Sequence, residues 1–407
     1  MNMPKLRFKE FNANWAVKTL GELFNIVVGF VGTISDSYCE ERDGILFIRT
    51  LNVREGRFSL SEIQYVTTEF HERNKKSQIY NNDILIARVG ANMGMVCKVA
   101  GLENEANSAN VIIIKSNSTN NSDFYSLYLN SPKGQKQIQA KGAGGAQEVL
   151  NISVAKTIIV PVPSLPEQTK IANFLTAIDE KITQLTQKYD LLKQYKKGVM
   201  QQIFSQKLRF KDDDGREFAE WEETTLENIA TFLRGGSLSK SNISVDGMFE
   251  CIHYGELFTI YSEVIKTVKS RTNLTDAVRS ISGDILMPSS DVTPSGLAKA
   301  SCILETGIIL GGDINIIRVT DKINSIFISY LLNFEKNKII QLVSGTTVKH
   351  IYIKDIKTIS LTIPQNKKEQ TKIANFLTAI DDKITQTQTQ LEAVKQYKKG
   401  LLQQMFV

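Results

Sequence analysis

The sequence predicts an α+β protein in which two mixed α/β modules alternate with two long helices that pair as an antiparallel coiled coil. Three observations predict this arrangement. The 407-residue chain contains an internal repeat with a period of 202 residues. Each repeat ends in a segment with a sustained helical seam, and the rest of each repeat consists of short strand-like runs separated by turns. Two copies of one plan further predict a pseudo-two-fold relation between the halves of the chain.

The repeat is clearest in the helical segments. Residues 167–204 and 369–406 align without gaps and are identical at 26 of 38 positions, including the stretches EQTKIANFLTAID and KQYKKG. The repeat also covers the modules, because LRFK occurs at 6–9 and again at 208–211, followed each time by a tryptophan. The modules have otherwise diverged. The chain therefore combines one repeated helix with two different modules.

Apolar residues step by four and three along both helical segments, which is the spacing of a coiled-coil seam. At 1.5 Å per residue, each segment reaches roughly 57 Å. One polar residue, Thr387, interrupts the second seam. The predicted seam residues are Ile171, Leu175, Ile178, Ile182, Leu185, Tyr189 and Leu192 in the first segment, and Ile373, Leu377, Ile380, Ile384, Leu391 and Val394 in the second.

The two seams match in length and lie in one chain, so we expect them to pack on each other. A module precedes each helix, and antiparallel packing would place the modules at opposite ends of the rod. The alternative is that each helix covers only its own module. Seams this long exceed the usual helix of about 10–14 residues, which favours the pairing of the two helices.

Capping and glycine signals mark the helical regions. Capping boxes are expected at Ser164–Glu167 and Asn366–Glu369, and the helices are expected to bend or fray at Gly198 and Gly400. The predicted order is a first module, a helical region, a second module and a second helical region, with bounds 1–163, 164–205, 206–363 and 364–407.

Strand-like runs bounded by Gly- and Asn-rich turns dominate both modules, and short helical patterns lie between them. This mixture predicts an α/β fold for each module. The strand-like runs are Gly44–Ile48, Asp83–Ile86, Val111–Ile114, Thr157–Val160, Ile308–Leu310 and Ile314–Val319, and the helical patterns are Phe124–Asn130 and Ile326–Asn333.

Composition excludes several classes of protein. The net charge of +6 permits nucleic-acid binding through phosphate contacts but does not establish it. No apolar run reaches 18 residues, and the N-terminal stretch MNMPKLRFKEF is not a secretory signal, so we expect no membrane association. The cysteines form no C-x-x-C pair, which argues against a zinc site or a disulfide framework and favours a cytoplasmic location.

The sequence offers no catalytic or metal site. The histidines His71, His253 and His350 do not stand in a metal-ligand spacing. Phosphate-binding loops, dinucleotide fingerprints and nucleophile elbows are missing from the sequence, and the glycine cluster KGAGGAQ at 141–147 reads as a loop. These absences favour a binding or scaffolding protein over an enzyme.

The order of parts resembles the specificity subunit of type I restriction-modification enzymes. The motifs that carry the resemblance are LPEQTKIANFLTAIDEKIT, KQYKKGVMQQIF, the LRFK opening with its tryptophan, and the boundary Pro161-Val162-Pro163. The resemblance covers essentially the whole chain. It is specific in the helical regions and weak inside the modules.

The resemblance implies that the modules are target-recognition domains, each of which reads one half of a bipartite double-stranded DNA site. It implies that the helices space the domains and dock two modification (methyltransferase) subunits, which restriction subunits join. It also implies that this chain is non-catalytic and holds no cofactor. S-adenosylmethionine, ATP and Mg²⁺ are then expected on the partner subunits, which would methylate adenine and cleave DNA.

Base discrimination needs side chains such as Arg or Lys for guanine and Asn or Gln for adenine. Residues of this kind on loops after strands are the DNA-binding candidates, and the competing interpretation of each is an ordinary surface residue. The candidates are Arg49, Asn52, Arg88, Asn92, Lys141 and Gln147 in the first module, and His253, Tyr254, Ser289, Ser290, Lys349 and His350 in the second.

Two other functions stay open at this point. The first is a coiled-coil scaffold that pairs two protein partners without base-specific DNA binding. The second is a nuclease or methyltransferase in its own right, against which the absence of catalytic motifs argues.

Overall fold

The computed structural model describes residues 3–142 and 149–406. The chain forms two compact units. Unit 1 comprises the residues up to Gln187 together with those from Thr389 onward, and unit 2 comprises Lys188–Gln388. Each unit therefore combines one module, the first half of the long helix that follows it and the second half of the other long helix.

Unit 1 carries its module on two β-sheets. One sheet is antiparallel with the order β10-β9-β12-β2, and the other has the order β3-β7-β4-β11-β8 with β4 and β11 parallel. The strands are β1 (Ala16–Thr19), β2 (Ile26–Val28), β3 (Tyr38–Cys39), β4 (Ile45–Ile48), β5 (Val53–Arg54), β6 (Arg57–Phe58), β7 (Gln64–Val66), β8 (Gln78–Ile79), β9 (Ile84–Ala87), β10 (Val96–Lys98), β11 (Ala106–Ser108), β12 (Val111–Ile114) and β13 (Ile159–Val162).

Helices and a further strand pair complete this module. Strand β1 pairs with β13, so the start of the module is hydrogen-bonded to the strand that leads into the long helix. The helices are α1 (Leu20–Leu23), α2 (Thr68–Arg73), α3 (Ser122–Asn130), α4 (Pro132–Gly142) and α5 (Ile152–Lys156).

Unit 2 repeats the plan with different strand lengths. Its larger sheet has the order β15-β23-β19-β21-β17, a smaller one has the order β18-β16-β22, and β14 pairs with β25 as β1 pairs with β13. The strands are β14 (Trp221–Thr225), β15 (Ala230–Arg234), β16 (Phe249–Ile252), β17 (Val264–Ile265), β18 (Ser270–Thr272), β19 (Ile285–Pro288), β20 (Ser290–Asp291), β21 (Ser301–Ile303), β22 (Ile309–Leu310), β23 (Ile314–Val319), β24 (Lys349–His350) and β25 (Ser360–Pro364).

The two long helices complete the set. The shorter helices of unit 2 are α7 (Leu226–Ile229), α8 (Glu256–Thr259), α9 (Pro294–Leu297), α10 (Ser325–Phe334), α11 (Lys336–Gln341) and α12 (Ile353–Ile356). The long helices are α6 (Leu165–Phe204) and α13 (Lys367–Met405). The strand-like runs and helical patterns expected from the sequence all fall on strands or helices, which confirms the mixed α/β fold of the modules.

The long helices pack antiparallel in each unit. In unit 1 the end of α13 packs on the start of α6, with Leu401, Met405 and Phe406 in the same core as Ile171 and Leu175. Lys398 pairs with Asp179 across the two helices, 2.5 Å apart. The residue numbers rise along one helix as they fall along the other, so the two helices run in opposite directions.

Unit 2 holds the reciprocal half of the pair. Val199, Met200 and Ile203 from the end of α6 share a core with Ile373 and Leu377 from the start of α13. Lys196 pairs with Asp381, 2.7 Å apart. The antiparallel coiled coil is thereby confirmed, and every predicted seam position is buried or half-buried. The first seam residues also belong to the core of their own module, so each helix both covers its module and pairs with the other helix.

The repeated motif EQT attaches each long helix to its own module. Gln168 accepts a hydrogen bond from the backbone N–H of Asn121, the N-cap of α3, and the Asn121 side chain donates to Thr169 Oγ1. The corresponding residues of unit 2 make the same contacts, with Gln370 and Thr371 on Asn324, the N-cap of α10.

The glutamate of the motif has a different role from the predicted capping box. Glu167 is buried and accepts two hydrogen bonds from the Arg7 guanidinium, at 2.7 and 2.8 Å. Glu369 likewise accepts from Arg209, and also from the indole N–H of Trp221. The charged arginine of LRFK is a stronger donor to a buried carboxylate than a backbone N–H.

The glycines of the long helices do not break them. Both α6 and α13 continue through Gly198 and Gly400 to their last turns. The expectation that the helices bend or fray there is wrong for fraying, because the apolar residues after each glycine are buried in a core.

Candidate nucleic-acid interface

Two matching loop arrangements lie at the strand ends of the two modules. In unit 1 the backbone N–H of Arg88 donates to Asn110 O, and Leu150 N–H donates to Arg88 O, at 3.2 and 3.0 Å. Arg88 follows β9 and Asn110 precedes β12. Asn110 has a φ of 54°, a left-handed conformation that asparagine tolerates better than most residues.

Unit 2 repeats these contacts with other residues. Ser289 N–H donates to Asp313 O, and Ile351 N–H donates to Ser289 O, at 2.8 and 3.1 Å. Ser289 therefore occupies the place of Arg88, and Asp313 that of Asn110. The same backbone frame thus presents different side chains in the two modules.

The loop after β4 holds two candidates, Asn52 and Arg49, which differ in burial and in hydrogen bonding. Asn52 is fully buried, and its amide donates to the carbonyls of Ser59 and Ser61 while its oxygen accepts from Arg49 N–H. Its hydrogen-bonding groups are occupied, so we assign it to loop construction. Arg49 is half-buried and donates to Glu62 O.

Asn92 joins the loop after β9 to the loop after β4. Its amide donates to Thr50 O at 3.0 Å, and its oxygen accepts from Arg54, an exposed cation at the same edge. Arg49, Arg54 and Arg88 are therefore brought to one edge of unit 1. Among the described residues no hydrogen bond or ion pair involves the Arg88 guanidinium, and the Arg88 side chain is half-buried.

The glycine cluster lies at the limit of the described chain. Lys141 is in the last turn of α4. Gln147 lies outside the described residues.

His253 and Tyr254 follow β16, and their rings are in contact with centroids 4.4 Å apart and planes tilted by 43°. His253 Nδ1 accepts a hydrogen bond from Gly255 N–H, which leaves Nε2 to carry the proton of the neutral ring. Burial lowers the pKa of His253, against the opposing field of Glu256. The lowered pKa favours the neutral imidazole, in which Nε2 is the donor.

Ser290, Lys349 and His350 form a short ribbon, because β20 and β24 pair antiparallel with Ser290 opposite His350 and Asp291 opposite Lys349. Ser289 and Ser290 are buried, and the Ser289 hydroxyl donates to the Asp313 carboxylate at 3.3 Å, so we assign Ser289 to construction of the loop. The ring of His350 stacks on the ring of Tyr352, which follows the ribbon, with centroids 6.0 Å apart. The structure therefore brings four candidates of the second module together.

Several residues at these edges were missed by sequence reasoning. Arg234 ends β15 and lies 3.5 Å from Asp313, and with His350, Tyr352 and Lys354 it lines a cavity of about 280 Å³. The sequence feature that could have indicated Arg234 is the RGG stretch that it begins, because a pair of glycines permits another backbone segment or a ligand to approach closely. Asp313 carried no signal, because its position depends on how β23 pairs.

A basic groove of about 560 Å³ adjoins the same edge of unit 1. Its lining includes Arg73, Lys75 and Lys76, one carboxylate, Glu72, and the ring of Phe30. Asn110 N–H donates to Phe30 O, which connects the groove to the frame that holds Arg88. Lysines and arginines of this kind contact phosphates, which position DNA without specifying its sequence.

The described residues contain no cluster of His, Cys, Asp and Glu that could hold a metal ion. Burial raises the pKa of Cys97 to about 12 and that of Cys251 and Cys302 to about 11, so these thiols are poor nucleophiles. Within 3–142 and 149–406, no helix is long and apolar enough to cross a membrane.

Comparison with known proteins agrees with the internal repeat of the sequence. A family model described as the type I restriction modification DNA specificity domain matches this chain twice, at residues 12–194 and 219–396. The MjaVIII type I restriction enzyme specificity subunit of Methanocaldococcus jannaschii is 24% identical over 417 residues, which cover 97% of this chain and 94% of that protein.

Solved structures share the fold. The S subunit of a type I restriction-modification system from M. genitalium superposes with a TM-score of 0.64 and 16% identity, covering 100% of this chain and 99% of that one. A chain from a structure of a type I restriction-modification system, solved to explain complex assembly and conformational transition, gives a TM-score of 0.52 and 14% identity over 95% of this chain and 96% of that one.

Proposed function

This chain belongs to the family of type I restriction-modification DNA specificity proteins, and we propose that it reads an asymmetric, bipartite DNA site with one half-site for each target-recognition domain. One observation carries the proposal. The same backbone frame holds Arg88 and Asn110 in unit 1 and Ser289 and Asp313 in unit 2. Arginine suits guanine and asparagine suits adenine, whereas unit 2 has neither residue at these places. There Ser289 is buried and bonded to Asp313, and Asp313 pairs with Arg234, so we expect the two half-sites to differ.

A module exchange tests this assignment. Residues 206–363 are replaced by the second module of another specificity subunit, and the methylated sequence is determined by methylome sequencing of cells carrying the complete complex. We expect the half-site read by the second module to change and the other to persist. A methylated sequence with both half-sites unchanged would contradict the proposal, as would site-independent DNA binding by the complex, which favours the scaffold alternative.

We also propose that the helices dock two modification subunits, one through each copy of KQYKKG. Several residues that are identical in the two helices have a structural role. The EQT motif attaches each helix to its module, and the second lysine of each KQYKKG, Lys196 or Lys398, forms an ion pair with the other helix. Tyr195 and Tyr397 have no such role, since they are 53% and 57% exposed. An exposed tyrosine repeated in both units suits a hot spot for one kind of partner.

Single and double substitutions test the docking proposal. Each of Tyr195→Ala and Tyr397→Ala should give a complex with one modification subunit in native mass spectrometry, and the double variant should give none. Leu191→Ala is the matched control, because Leu191 is 63% exposed on α6 and its counterpart in the second repeat is already an alanine, Ala393. Two bound subunits on the double variant would contradict the proposal.

The chemistry of the complex is then assigned to the partners. The described residues of this chain present no metal cluster and no activated thiol, so we propose that the chain is non-catalytic. S-adenosylmethionine would be held by the modification subunits, and ATP and Mg²⁺ by the restriction subunits, with the assembled complex acting on DNA in the cytoplasm.

A further inference from the structure

We propose that the tip of the ribbon formed by β20 and β24 enters the DNA major groove and contacts a thymine methyl group through Val292 and Val348. This inference rests on the proposed function, because it names the base feature that unit 2 reads. It makes the two valines specificity-determining residues.

The register of the ribbon places the two valines at one end. Asp291 lies opposite Lys349 in the last pair of the antiparallel ribbon. Val292 follows Asp291, and Val348 precedes Lys349, so both leave the ribbon at the same end. Val292 is 72% exposed and Val348 is 47% exposed.

The polar residues of the tip are folded back to build it. The carboxylate of Asp291 accepts from Val292 N–H at 2.7 Å and from Thr293 Oγ1 at 2.8 Å. Lys349 Nζ donates to Gly345 O at 2.7 Å, which closes the turn before Val348. Gly345 has a φ of 105°, and a Cβ there would lie 2.2 Å from Val348 O, so the turn requires glycine. The tip is therefore an ordered structure that exposes apolar groups.

The surroundings of the tip favour a polyanion as the occupant. Lys349 is on the ribbon itself, and Arg234 and Lys354 line the adjoining cavity with Tyr352, which lies 5.8 Å from the Lys354 ammonium. Arg234 already pairs with Asp313, but a protein partner with an apolar face would leave Lys349 and Lys354 without a counter-charge. DNA satisfies both features, because its phosphates pair with the cations while base edges present a few apolar groups.

The thymine C5-methyl is the apolar group that the major groove displays. That groove is about 12 Å wide and admits a two-stranded β-ribbon. An exposed valine pair held at the end of a ribbon fits a methyl group better than a hydrogen-bonding base edge, since valine offers neither donor nor acceptor.

Replacing thymine by deoxyuridine removes only the methyl group and so tests the contact. The site is first read by methylome sequencing, and the complex with its modification subunits is then titrated with duplex oligonucleotides that carry single thymine-to-deoxyuridine replacements. We expect one replacement in the half-site of the second module to weaken binding roughly fourfold, the effect of one buried methyl group. The double variant V292S/V348S should bind the two duplexes equally.

The control is Val245→Ser, because Val245 is 92% exposed in a different loop of unit 2 and should keep the sensitivity to deoxyuridine. Specific binding without any deoxyuridine effect in that half-site would overturn this inference while leaving the proposed function standing. An effect that persists undiminished in V292S/V348S would also overturn it. If the wild-type complex showed no sequence-specific DNA binding, that result would instead contradict the proposed function itself.

Discussion

The carboxylate of Glu167 is 2% exposed in unit 1, and the Arg7 guanidinium that neutralises it is 9% exposed. We expect Glu167→Gln to lower the free energy of unfolding of unit 1 by about 3 kcal/mol, because the substitution leaves a buried arginine without its counter-charge. Urea denaturation of the full chain measures the effect.

The control for this prediction is Glu69→Gln, which breaks the ion pair of Glu69 with Arg73 in the same unit. Both side chains of that pair are more than 70% exposed, so the expected loss is below about 1 kcal/mol. The double variant R7M/E167M should recover most of the lost stability. Equal losses for Glu167→Gln and Glu69→Gln would contradict a buried pair.

A second residue-scale prediction concerns Asp381, which accepts a hydrogen bond from Tyr330 and pairs with Lys196. Burial raises the pKa of Asp381; Lys196 opposes the increase and Glu263 adds to it. The folded state therefore binds the Asp381 proton more tightly than the unfolded chain does. Protonated Asp381 therefore stabilises the folded state at low pH. This stabilisation is lost as the pH rises from the ordinary aspartate pKa of 3.8 through the raised pKa of the folded state.

Asp381→Asn should remove this loss, because the amide keeps a hydrogen bond to Tyr330 and does not ionise. The difference in unfolding free energy between Asp381→Asn and the wild type should therefore increase as the pH rises across that window. Denaturant titrations at several pH values measure it, with Asp382→Asn as the neighbouring control, since Asp382 is 58% exposed beside Lys266. A difference independent of pH would contradict the assignment to Asp381.

The sequence indicated loops after strands as the candidate site, but it did not predict which of their side chains are buried. Arg88 is half-buried and its contact with DNA stays a prediction, whereas Asn52 is fully buried because three hydrogen bonds within its loop use its amide. The sequence did not indicate that Asp313 and Arg234 lie close together, because their proximity depends on the pairing of β15 with β23. A side chain's access to solvent is set by such long-range pairing, which local sequence does not encode.

At the scale of elements, Gly400 offers a test of the long helix. A Cβ added at Gly400 would meet nothing within 4 Å, and α13 continues through it. We expect Gly400→Ala to raise the free energy of unfolding of unit 1 by about 1 kcal/mol, because alanine loses less backbone entropy in a helix. The matched control is Gly134→Ala in α4, where the Cβ would lie 2.3 Å from Tyr128 O and should destabilise the same unit. Thermal denaturation distinguishes the two, and a less stable Gly400→Ala would contradict the open position.

The helices were the most predictable elements, because their seam repeats every seven residues and recurs in both copies. Their effect on the modules was less predictable. The Ser164–Glu167 pattern predicted a capping box, but Glu167 instead binds Arg7, which lies 160 residues away in the sequence. Strand runs were likewise visible, but the parallel pairing of β4 with β11 was not, because it joins segments about 60 residues apart.

At the scale of the whole molecule, both long helices pass from one unit into the other without interruption. Helix α6 spans Leu165–Phe204, and the unit boundary falls after Gln187. Helix α13 spans Lys367–Met405, and its boundary falls after Gln388. The repeat visible in the sequence thus predicted two equivalent halves, whereas the sequence alone did not reveal that each compact unit takes a helical half from both repeats.

If the helices set the distance between half-sites, shortening both should shorten the spacer of the methylated sequence. Deleting seven residues from each, 185–191 and 387–393, preserves the seven-residue register of the seam. At 1.5 Å per residue the deletion removes about 10 Å, close to three base pairs at 3.4 Å each. We expect methylome sequencing to show a spacer shorter by about three base pairs with both half-sites retained. The control replaces 185–191 by the sequence of 387–393 without changing the length, and it should keep the original spacer. An active deletion variant with an unaltered spacer would contradict the role of the helices in spacing, because the distance between the half-sites would then not depend on helix length.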